Sequence, residues 1–329
     1  MPVPPELAQA IQHEIESLPR ADLARAAAEL TQIYKAEKSA SPTITTPAHR
    51  AAYLAVRLPA TFAANLAAFS EVRRLATETK IESMLDLGTG PGTALWAATG
   101  MFPEMTQATL VESDRSLIET GKRLCGQNSH PAIRSASWLQ QDLSRGLNCE
   151  PHDLVVISYA LGELPASATD KLISQAWNCT KEFLVIVEPG TMRGFNFIDL
   201  MRSMLIATVA HILAPCPHAL TCPMAAVGDW CHFAARVQRS SLHRQIKGGT
   251  LGYEDEKFSY VVASRQEFPR PLARIVRHPQ QHSGHIQLTL CTPDGLKSVT
   301  ITKSQKDQYR LARKAEWGDE WEDESREVS

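Results

Sequence analysis

Three closely spaced glycines after a short apolar run form the first pattern in this chain that could do chemistry. Residues 84–93 read MLDLGTGPGT, so a strand-like segment enters a glycine-rich turn and a helical pattern follows. Glycine lets the backbone approach a ligand closely, and a helix N-terminus supplies free N–H groups. The turn therefore predicts a cofactor-binding loop, although tight strand–helix turns also use glycine for steric reasons alone. The candidate cofactor contacts here are Asp86, Gly88, Thr89, Gly90 and Gly92.

Acidic residues after the next two predicted segments would complete a nucleoside site. Glu112 ends the segment 108–112, 20 residues after Gly92, where a carboxylate can accept both hydroxyls of a ribose. Asp142 follows the segment 136–141, where an acid could meet an adenine amino group. The G-x-G-x-G spacing, with an acid two residues before it, resembles class I S-adenosylmethionine-dependent methyltransferases more than the G-x-G-x-x-G of dinucleotide enzymes. We expect an S-adenosylmethionine pocket; an NAD pocket and a structural turn are the alternatives.

The segment after the fourth predicted strand is where a methyl acceptor would be held. It reads SYALGEL over residues 158–164, without the Pro-Pro-aromatic motif of amino-directed methyltransferases or the Pro-Cys of carbon-5 cytosine enzymes. Packing at the end of a sheet explains these polar residues equally well. No catalytic residue is assigned, and the candidates are Ser158, Tyr159 and Glu163.

Four of the seven cysteines lie in the C-terminal part of the chain and form the second chemical signal. Their spacing is C-x5-C-x8-C-x59-C, whereas structural zinc usually takes cysteine pairs about two to four residues apart. Four thiolates in irregular, proline-containing chain are compatible with an iron–sulfur cluster. Zinc fits this spacing less well, and buried cysteines that act as small hydrophobic side chains are the alternative. The candidate metal ligands are Cys216, Cys222, Cys231 and Cys291.

Charge is distributed unevenly along the 329 residues, although 34 Lys and Arg nearly balance 36 Asp and Glu. Residues 231–314 carry 15 basic and 6 acidic side chains, whereas residues 315–329 carry 7 acids and one arginine. A basic surface can bind nucleic-acid phosphates, and an ordinary solvated face is the alternative. The last residues lack helical or strand periodicity, so we expect 315–329 to be a disordered acidic tail.

Hydrophobic periodicity predicts the elements that must position these residues. Residues 1–47 predict short amphipathic helices. Over residues 48–213 a helical stretch, interrupted near Pro59, is followed by strands alternating with helices, which is typical of a parallel α/β sheet. Residues 214–314 combine the cysteines with four short β-type runs and a basic helix, and structure is predicted to be sparse over about 215–252. The longest apolar stretch is too short for a membrane span, and residues 1–36 resemble neither a signal nor a transit peptide. We expect a soluble protein of bacterial-type cytoplasm.

Five short blocks of the chain are VEPGT at 187–191, APCPH at 214–218, DWCHF at 229–233, KFSY at 257–260 and LCTPDG at 290–295. Together they resemble one family, the bacterial and mitochondrial small-ribosomal-subunit methyltransferase-like assembly factors. The resemblance covers roughly residues 48–317 and implies a Rossmann-like class I methyltransferase domain of α/β class, with N-terminal helices and a cysteine-rich, β-containing C-terminal extension. It also implies that the four cysteines ligate a [4Fe–4S] cluster and that residues 88–92 belong to the S-adenosylmethionine motif.

The resemblance further implies a function at the small ribosomal subunit, where basic residues would contact rRNA phosphates. Such contacts give salt-dependent affinity without sequence readout. Two hypotheses stay open: an S-adenosylmethionine-dependent rRNA methyltransferase, and a non-catalytic assembly factor with the same fold. A small-molecule methyltransferase is a third, which would explain the glycine loop but neither the cysteines nor the basic half. The candidate RNA-binding residues are Arg236, Arg239, Arg244, Lys247, Lys303, Lys306, Arg310 and Arg313.

Overall fold

The structure is a computed structural model that describes residues 2–35, 44–126, 128–247 and 250–322. Its helices are α1 (Pro5–Ile15), α2 (Arg20–Lys35), α3 (Pro47–Ala52), α4 (Leu58–Leu75), α5 (Thr93–Met101), α6 (Arg115–Cys125), α7 (Pro131–Arg134), α8 (Ala166–Asn178), α9 (Met192–Ala207), α10 (Pro223–Ala226), α11 (Ser241–Lys247) and α12 (Lys306–Ala312). Its strands are β1 (Ser83–Leu87), β2 (Gln107–Glu112), β3 (Ser137–Gln140), β4 (His152–Ser158), β5 (Thr180–Pro189), β6 (His211–Ala214), β7 (Phe233–Gln238), β8 (Tyr253–Ser264), β9 (Ala273–Ile275), β10 (Gln280–Gln281), β11 (His285–Thr292), β12 (Gly295–Thr302) and β13 (Glu320–Trp321).

Eight strands form the main sheet, in the order β3-β2-β1-β4-β5-β8-β6, with β7 also paired to β8. β1 to β5 run parallel, whereas β8 is antiparallel to β5, β6 and β7. The central strands β1, β4 and β5 are largely buried apolar runs, as expected when helices cover both faces of a parallel sheet. A parallel sheet with one antiparallel strand inserted before its last strand is the topology of Rossmann-like class I methyltransferases. The predicted α/β class is therefore confirmed.

A long helical run packs against the sheet and reaches the glycine loop. α3, a π-helical turn over Tyr53–Arg57 and α4 follow one another without a break, whereas the sequence predicts an interruption near Pro59. Pro59 lies in the first turn of α4, directly after the wider π turn, where proline is tolerated. The run Pro47–Leu75 is long and apolar enough to cross a membrane, but 78% of its most apolar window is buried inside the protein. It is a core helix of this fold.

A second, five-stranded sheet follows in the order β10-β11-β9-β13, with β12 paired to β11. It has a small hydrophobic core of its own that includes Trp321. The prediction of a disordered tail from residue 315 is therefore wrong up to residue 322: β13 pairs with β9, and Glu320 forms an ion pair with Arg74. Residues 323–329 lie outside the described residues.

The cysteine-rich part has more regular structure than the sequence predicts, since β7 and α11 lie within 215–252. In β7, Phe233, Ala235 and Val237 are buried and the residues between them exposed. Alanine at the exposed position 234 interrupts the apolar–polar alternation, which hides this period-two pattern in the sequence. β6 is also a short strand that the sequence pattern does not single out. β6, β7 and β8 belong to the main sheet, so this sheet extends beyond the predicted boundary at residue 213. The predicted domain boundaries at 47, 213 and 314 stay proposals.

Gly121 of α6 allows that helix to pack on the glycine loop. A Cβ at this position would lie 2.9 Å from the Pro91 carbonyl oxygen and closer still to the Trp138 ring. We expect Gly121→Ala to lower the free energy of unfolding by about 2 kcal/mol through overpacking, even though alanine is the better helix former. Gly100→Ala in α5, where nothing lies within 4 Å of the added methyl group, should be neutral or stabilising. Urea unfolding measures both, and equal midpoints would contradict this packing.

Candidate functional site

The glycine loop borders a cavity of about 890 Å³ at the carboxyl ends of the parallel strands, here called the glycine-loop cavity. Gly88 and Gly90 line it with φ angles of 77° and 57°, left-handed values that favour glycine. A Cβ on Gly90 would meet nothing closer than 4.0 Å, whereas one on Gly88 would collide with Ala160 at 2.6 Å. Gly92 does not border the cavity: it faces the Trp138 ring, which would lie 3.2 Å from an added Cβ. Gly92 is thus a packing residue of the loop.

Glu112 ties the glycine loop to the end of β2. One carboxylate oxygen accepts a hydrogen bond from the Gly90 N–H at 2.8 Å. The other accepts from the N–H groups of Ser113 and Asp114, at 2.8 and 2.9 Å. The side chain is 9% exposed and borders the cavity, where a strand-end carboxylate can accept ribose hydroxyls. The structure therefore brings the predicted acid and the predicted loop into direct contact.

Two other predicted acids border the same cavity in different environments. Asp86 is buried and accepts a hydrogen bond from the Thr89 hydroxyl at 2.5 Å. Burial raises the pKa of Asp86 to about 7, and the negative charge of Glu112 adds to this rise. Asp142 is exposed at the rim, where hydrogen bonds from the Ser144 hydroxyl and N–H lower its pKa. One predicted acid thus lies in the wall of the cavity and the other at its mouth.

The three candidates for catalysis, Ser158, Tyr159 and Glu163, all border the glycine-loop cavity beyond β4. Tyr159 has a left-handed φ of 57°, and its hydroxyl donates to Glu256 at 3.1 Å. The Ser158 hydroxyl is buried and makes no hydrogen bond within the described residues. Burial raises the pKa of Glu163 to about 7, with the charge of Glu112 as the second cause. The geometry groups these residues at one site without giving any of them a reaction step.

Two further side chains of the cavity are not selected from the sequence. Glu188, at the end of β5, is 2% exposed and accepts a hydrogen bond from the Leu161 N–H at 2.9 Å. Burial raises the pKa of Glu188 to about 8. Arg57 of the π-helical turn forms an ion pair with Glu256 at 3.2 Å. The sequence contains a signal that could have identified Glu188, because this residue ends its strand as Glu112 does. No sequence periodicity shows in which direction a π-helical turn places Arg57.

The buried carboxyl of Glu188 predicts that the ligand-free protein loses stability as the pH rises. Its pKa is about 8 in the folded protein against about 4.3 in an unfolded chain, so folding favours the protonated form. This contribution is complete below the unfolded pKa and is lost as the pH rises through the folded one. We expect the free energy of unfolding to fall less in Glu188→Gln than in the wild type between about pH 6 and 8.5, by ~1 kcal/mol or more. Thermal unfolding measures this against Glu119→Gln, an exposed control on α6; unchanged pH profiles would contradict it.

All four predicted metal ligands border a second, narrower cavity of about 30 Å³, here called the cysteine cavity. α9 separates the two cavities, since Arg193 and Phe197 border the larger one and Phe195 and Arg202 the smaller. All seven cysteines are free thiols. In the described part of the chain, no three His, Cys, Asp or Glu side chains are arranged as a metal site. The four thiols that share the cavity are Cys216, Cys222, Cys231 and Cys291.

Burial raises the pKa and so disfavours the thiolate form at three of these cysteines, Cys222, Cys231 and Cys291. Burial raises the pKa of Cys291 to about 12; two neighbouring thiols add to the rise, and Arg202 and Arg274 oppose it. The pKa of Cys231 is held well above its usual value by burial first, and then by the other three cysteines. Thiolates in this cavity therefore need a positive partner, and a metal ion or cluster would supply one.

The predicted basic residues divide into an internally paired group and an exposed group. Arg236 lies opposite Asp255 in the β7–β8 ladder and pairs with it at 2.9 Å. Arg239 pairs with Glu254 at 2.7 Å. These arginines are therefore partly neutralised. The Lys247 side chain lies outside the described residues. The exposed candidates, of which Arg310 also forms an ion pair with Asp307 of the same helix at 3.4 Å, are Arg244, Lys303, Lys306, Arg310 and Arg313.

The strand order and the cavity at its carboxyl edge define a protein with the class I methyltransferase fold. A family model described as Mitochondrial small ribosomal subunit Rsm22 matches residues 47–322. The chain belongs to this family. The predicted membership in a small-subunit methyltransferase-like family is confirmed.

Curated relatives carry related names. The chain is 28% identical over 289 residues to "Ribosome assembly protein METTL17, mitochondrial" of Homo sapiens, which covers 81% of this chain and 61% of the relative. It is 25% identical over 321 residues to "Rsm22-cox11 tandem protein 2, mitochondrial" of Schizosaccharomyces pombe, covering 82% of this chain and 42% of the relative. The chain thus spans about three fifths and two fifths of these relatives.

Solved methyltransferase structures are similar at low identity. Precorrin-6y C5,15-methyltransferase of Geobacter metallireducens has a TM-score of 0.40 and 11% identity, covering 62% of this chain and 87% of that one. Magnesium protoporphyrin IX methyltransferase of Synechocystis PCC 6803 has a TM-score of 0.39 and 12% identity, covering 62% and 80%. The fold class follows from the strand order itself.

The prediction of a bacterial-type cytoplasmic protein is wrong. The family and the curated relatives are mitochondrial by name. The prediction used the composition of residues 1–36, and composition in one segment does not determine a compartment.

Proposed function

We propose that the chain is an S-adenosylmethionine-binding assembly factor of the mitochondrial small ribosomal subunit, with an iron–sulfur cluster in its cysteine-rich part. Family membership supports the assembly role, because the family is named for the small subunit and the human relative for ribosome assembly. The observation that carries methyl-donor binding is the hydrogen bond between Glu112 and Gly90 in a cavity of ligand size.

Different residues of the glycine-loop cavity would contact different parts of the ligand. Glu112 would accept the ribose hydroxyls, and Asp142 at the rim would meet the adenine amino group. Gly88 and Gly90 would let the backbone approach the methionine part. Bound S-adenosylmethionine supplies an electrophilic methyl group on a sulfonium cation. The sulfonium cation would favour the ionised form of Asp86, a buried carboxyl whose pKa is raised to about 7 in the ligand-free protein.

Two observations bear on whether the protein methylates rRNA. The Tyr159 hydroxyl already donates to Glu256, which Arg57 also holds, so this tyrosine does not present a free hydroxyl to an acceptor. This favours a non-catalytic assembly factor. The pKa values of Glu163 and Glu188, about 7 and about 8, suit general acid–base catalysis and make rRNA methylation the second candidate. A small-molecule methyltransferase would leave the cysteine cavity without a function.

The cysteine cavity fits an iron–sulfur cluster by its chemistry. Four thiols border it, as do three residues that each have a buried nitrogen atom without a hydrogen bond in the described part of the chain: Arg202 (Nε), His218 (Nδ1) and Arg274 (Nη2, which lies 3.6 Å from a Glu320 carboxylate oxygen). Cluster sulfides and cysteine sulfurs accept hydrogen bonds from such groups. A bound cluster would supply a covalent cross-link between the loop after β6, the segment before β7 and strand β11, and a one-electron centre. Metal analysis distinguishes it from zinc, which the cysteine spacing fits less well.

The exposed basic side chains on and around α12 are the proposed rRNA contact. Lys306 and Arg310 lie on the helix, and Lys303 and Arg313 lie beside it. Contacts to phosphates release counterions, so affinity for small-subunit rRNA should fall steeply with salt. The paired arginines of β7 and its following turn should contribute less.

Isothermal titration with S-adenosylmethionine tests the proposed ligand site. We expect the wild type to bind and Glu112→Gln to bind at least ~10-fold more weakly, because a hydrogen bond to a charged group contributes about 1.5–3 kcal/mol. Glu119→Gln, which removes an exposed carboxylate of α6, should bind like the wild type. No binding by the wild type, or equal affinity in Glu112→Gln, would contradict the proposal.

A further inference from the structure

A buried arginine of α9 forms part of the wall of the cysteine cavity. Arg202 is 3% exposed, and its Nη2 donates hydrogen bonds to the carbonyl oxygens of His218 and Leu220, both at 2.8 Å. These carbonyls belong to the loop between Cys216 and Cys222. The guanidinium therefore holds the loop that carries two of the four sulfur atoms.

The positive charge of Arg202 has no ion-pair partner in the described part of the chain. No carboxylate there lies within 4.0 Å of it; Asp199, one turn earlier on α9, borders the same cavity without forming an ion pair. Arg274, the other buried arginine of the cavity wall, differs because it pairs with Glu71 at 2.9 Å. Asp199 acts on Arg202 only from beyond ion-pair distance, and a buried charge without a close counter-charge is destabilising. The cavity next to Arg202 therefore suits an anion.

One nitrogen of the same guanidinium also lacks an acceptor. Arg202 Nε is buried and makes no hydrogen bond within the residues that the structure describes. Buried N–H groups are normally paired, so this one indicates that the cavity suits a ligand with acceptor atoms. A [4Fe–4S] cluster held by four thiolates is a dianion with sulfur acceptors on its surface. It matches Arg202 both in charge and in hydrogen bonding.

We propose that Arg202 is a positioning residue of the cluster, whose Nε–H donates to a cluster or cysteine sulfur and whose charge favours the reduced cluster. This inference rests on the iron–sulfur cluster proposed above. Reduction adds one negative charge, so a neighbouring cation stabilises the reduced state and raises the reduction potential. The two carbonyl contacts hold the guanidinium fork in place, so lysine replaces its charge but not its geometry.

Redox titration of anaerobically purified protein with dithionite, monitored by electron paramagnetic resonance, measures this effect. We expect Arg202→Met to lower the one-electron reduction equilibrium constant at least tenfold, a shift of about 59 mV to lower potential. Arg202→Lys should shift it by less. Arg265→Met is the matched control, because Arg265 also donates to two carbonyl oxygens, those of Thr180 and Trp177, but does not border the cysteine cavity. Its potential should equal that of the wild type.

The outcomes separate this inference from the proposed cluster. Wild-type potentials in both Arg202 variants would overturn the role of Arg202 and leave the cluster intact. A wild type without iron and sulfide would overturn the cluster and the inference together. If Arg202→Met fails to fold or to hold a cluster, Arg202→Lys decides. A cluster bound in the lysine variant supports the need for a positive charge at this position. A folded lysine variant without a cluster overturns that need.

Discussion

Cys231→Ser is expected to remove nearly all iron from the protein and to lower its thermal stability. Cys231 lies two residues before β7 and borders the cysteine cavity, and its carbonyl oxygen accepts a hydrogen bond from the Ser259 hydroxyl of β8 at 2.8 Å. A cluster here would join loops from distant parts of the chain, so its binding free energy is also folding free energy. Anaerobically purified wild type should contain about four irons and about four acid-labile sulfides per chain. Elemental analysis and the visible absorption spectrum measure both.

Cys125→Ser is the matched control for this substitution. Cys125 is a buried thiol at the end of α6 and does not border the cysteine cavity, so its replacement should leave the iron content unchanged. Iron retained in Cys231→Ser would show that this cysteine is not a ligand. Zinc in the wild type, or no metal at all, would contradict the proposed cluster.

Gly90→Arg is expected to abolish binding of S-adenosylmethionine while the fold persists. Gly90 has a φ of 57° and open space where a Cβ would stand, so an arginine side chain would extend into the glycine-loop cavity. Its N–H would also be displaced from Glu112. We expect affinity to fall at least ~100-fold, which corresponds to about 2.8 kcal/mol. Isothermal titration measures the affinity, and circular dichroism checks that the protein is folded.

Two milder glycine variants make this result interpretable. Gly90→Ala strains the left-handed backbone but adds little volume, so it should weaken binding less than arginine does. Gly100→Ala, in α5 and away from the cavity, should bind like the wild type. Wild-type affinity in Gly90→Arg would place the ligand elsewhere.

The glycine-loop cavity is largely predictable from the sequence because its polar residues stand at strand ends. Buried parallel strands read as apolar runs, and the residues that follow them must share one edge of the sheet. This places Gly90 and Glu112 together before any contact is known. The same rule applies to Glu188, but the glycine motif draws attention to the first two strands alone. Gly92 shows the limit of the motif, since its lack of a side chain makes room for Trp138 rather than for a ligand.

Features that depend on contacts between distant segments are not predictable in this way. The acidic composition after residue 315 predicts disorder, yet Trp321 supplies the apolar side chain that joins β13 to the second sheet. The charge pattern predicts a basic surface near Arg236, yet the β7–β8 register places Asp255 beside it. Sequence spacing also does not show that α9 separates the two cavities.

The two cavities are close neighbours in the structure. The indole N–H of Trp230, next to Cys231, donates to the Gly190 carbonyl at 3.0 Å, and Gly190 borders the glycine-loop cavity. α9 presents one face to each cavity. A ligand in either cavity therefore contacts elements that also form the wall of the other.

Sedimentation with purified ribosomal subunits tests the proposed function most directly. We predict that the protein co-migrates with small mitochondrial subunits and not with large ones, and that the association weakens as salt is raised because phosphate contacts contribute to it. Lys306→Glu combined with Arg310→Glu on α12 should weaken it further, whereas Arg115→Glu on α6 should not. A protein that stays at the top of the gradient at low salt, or that binds both subunits equally, would contradict a role in small-subunit assembly.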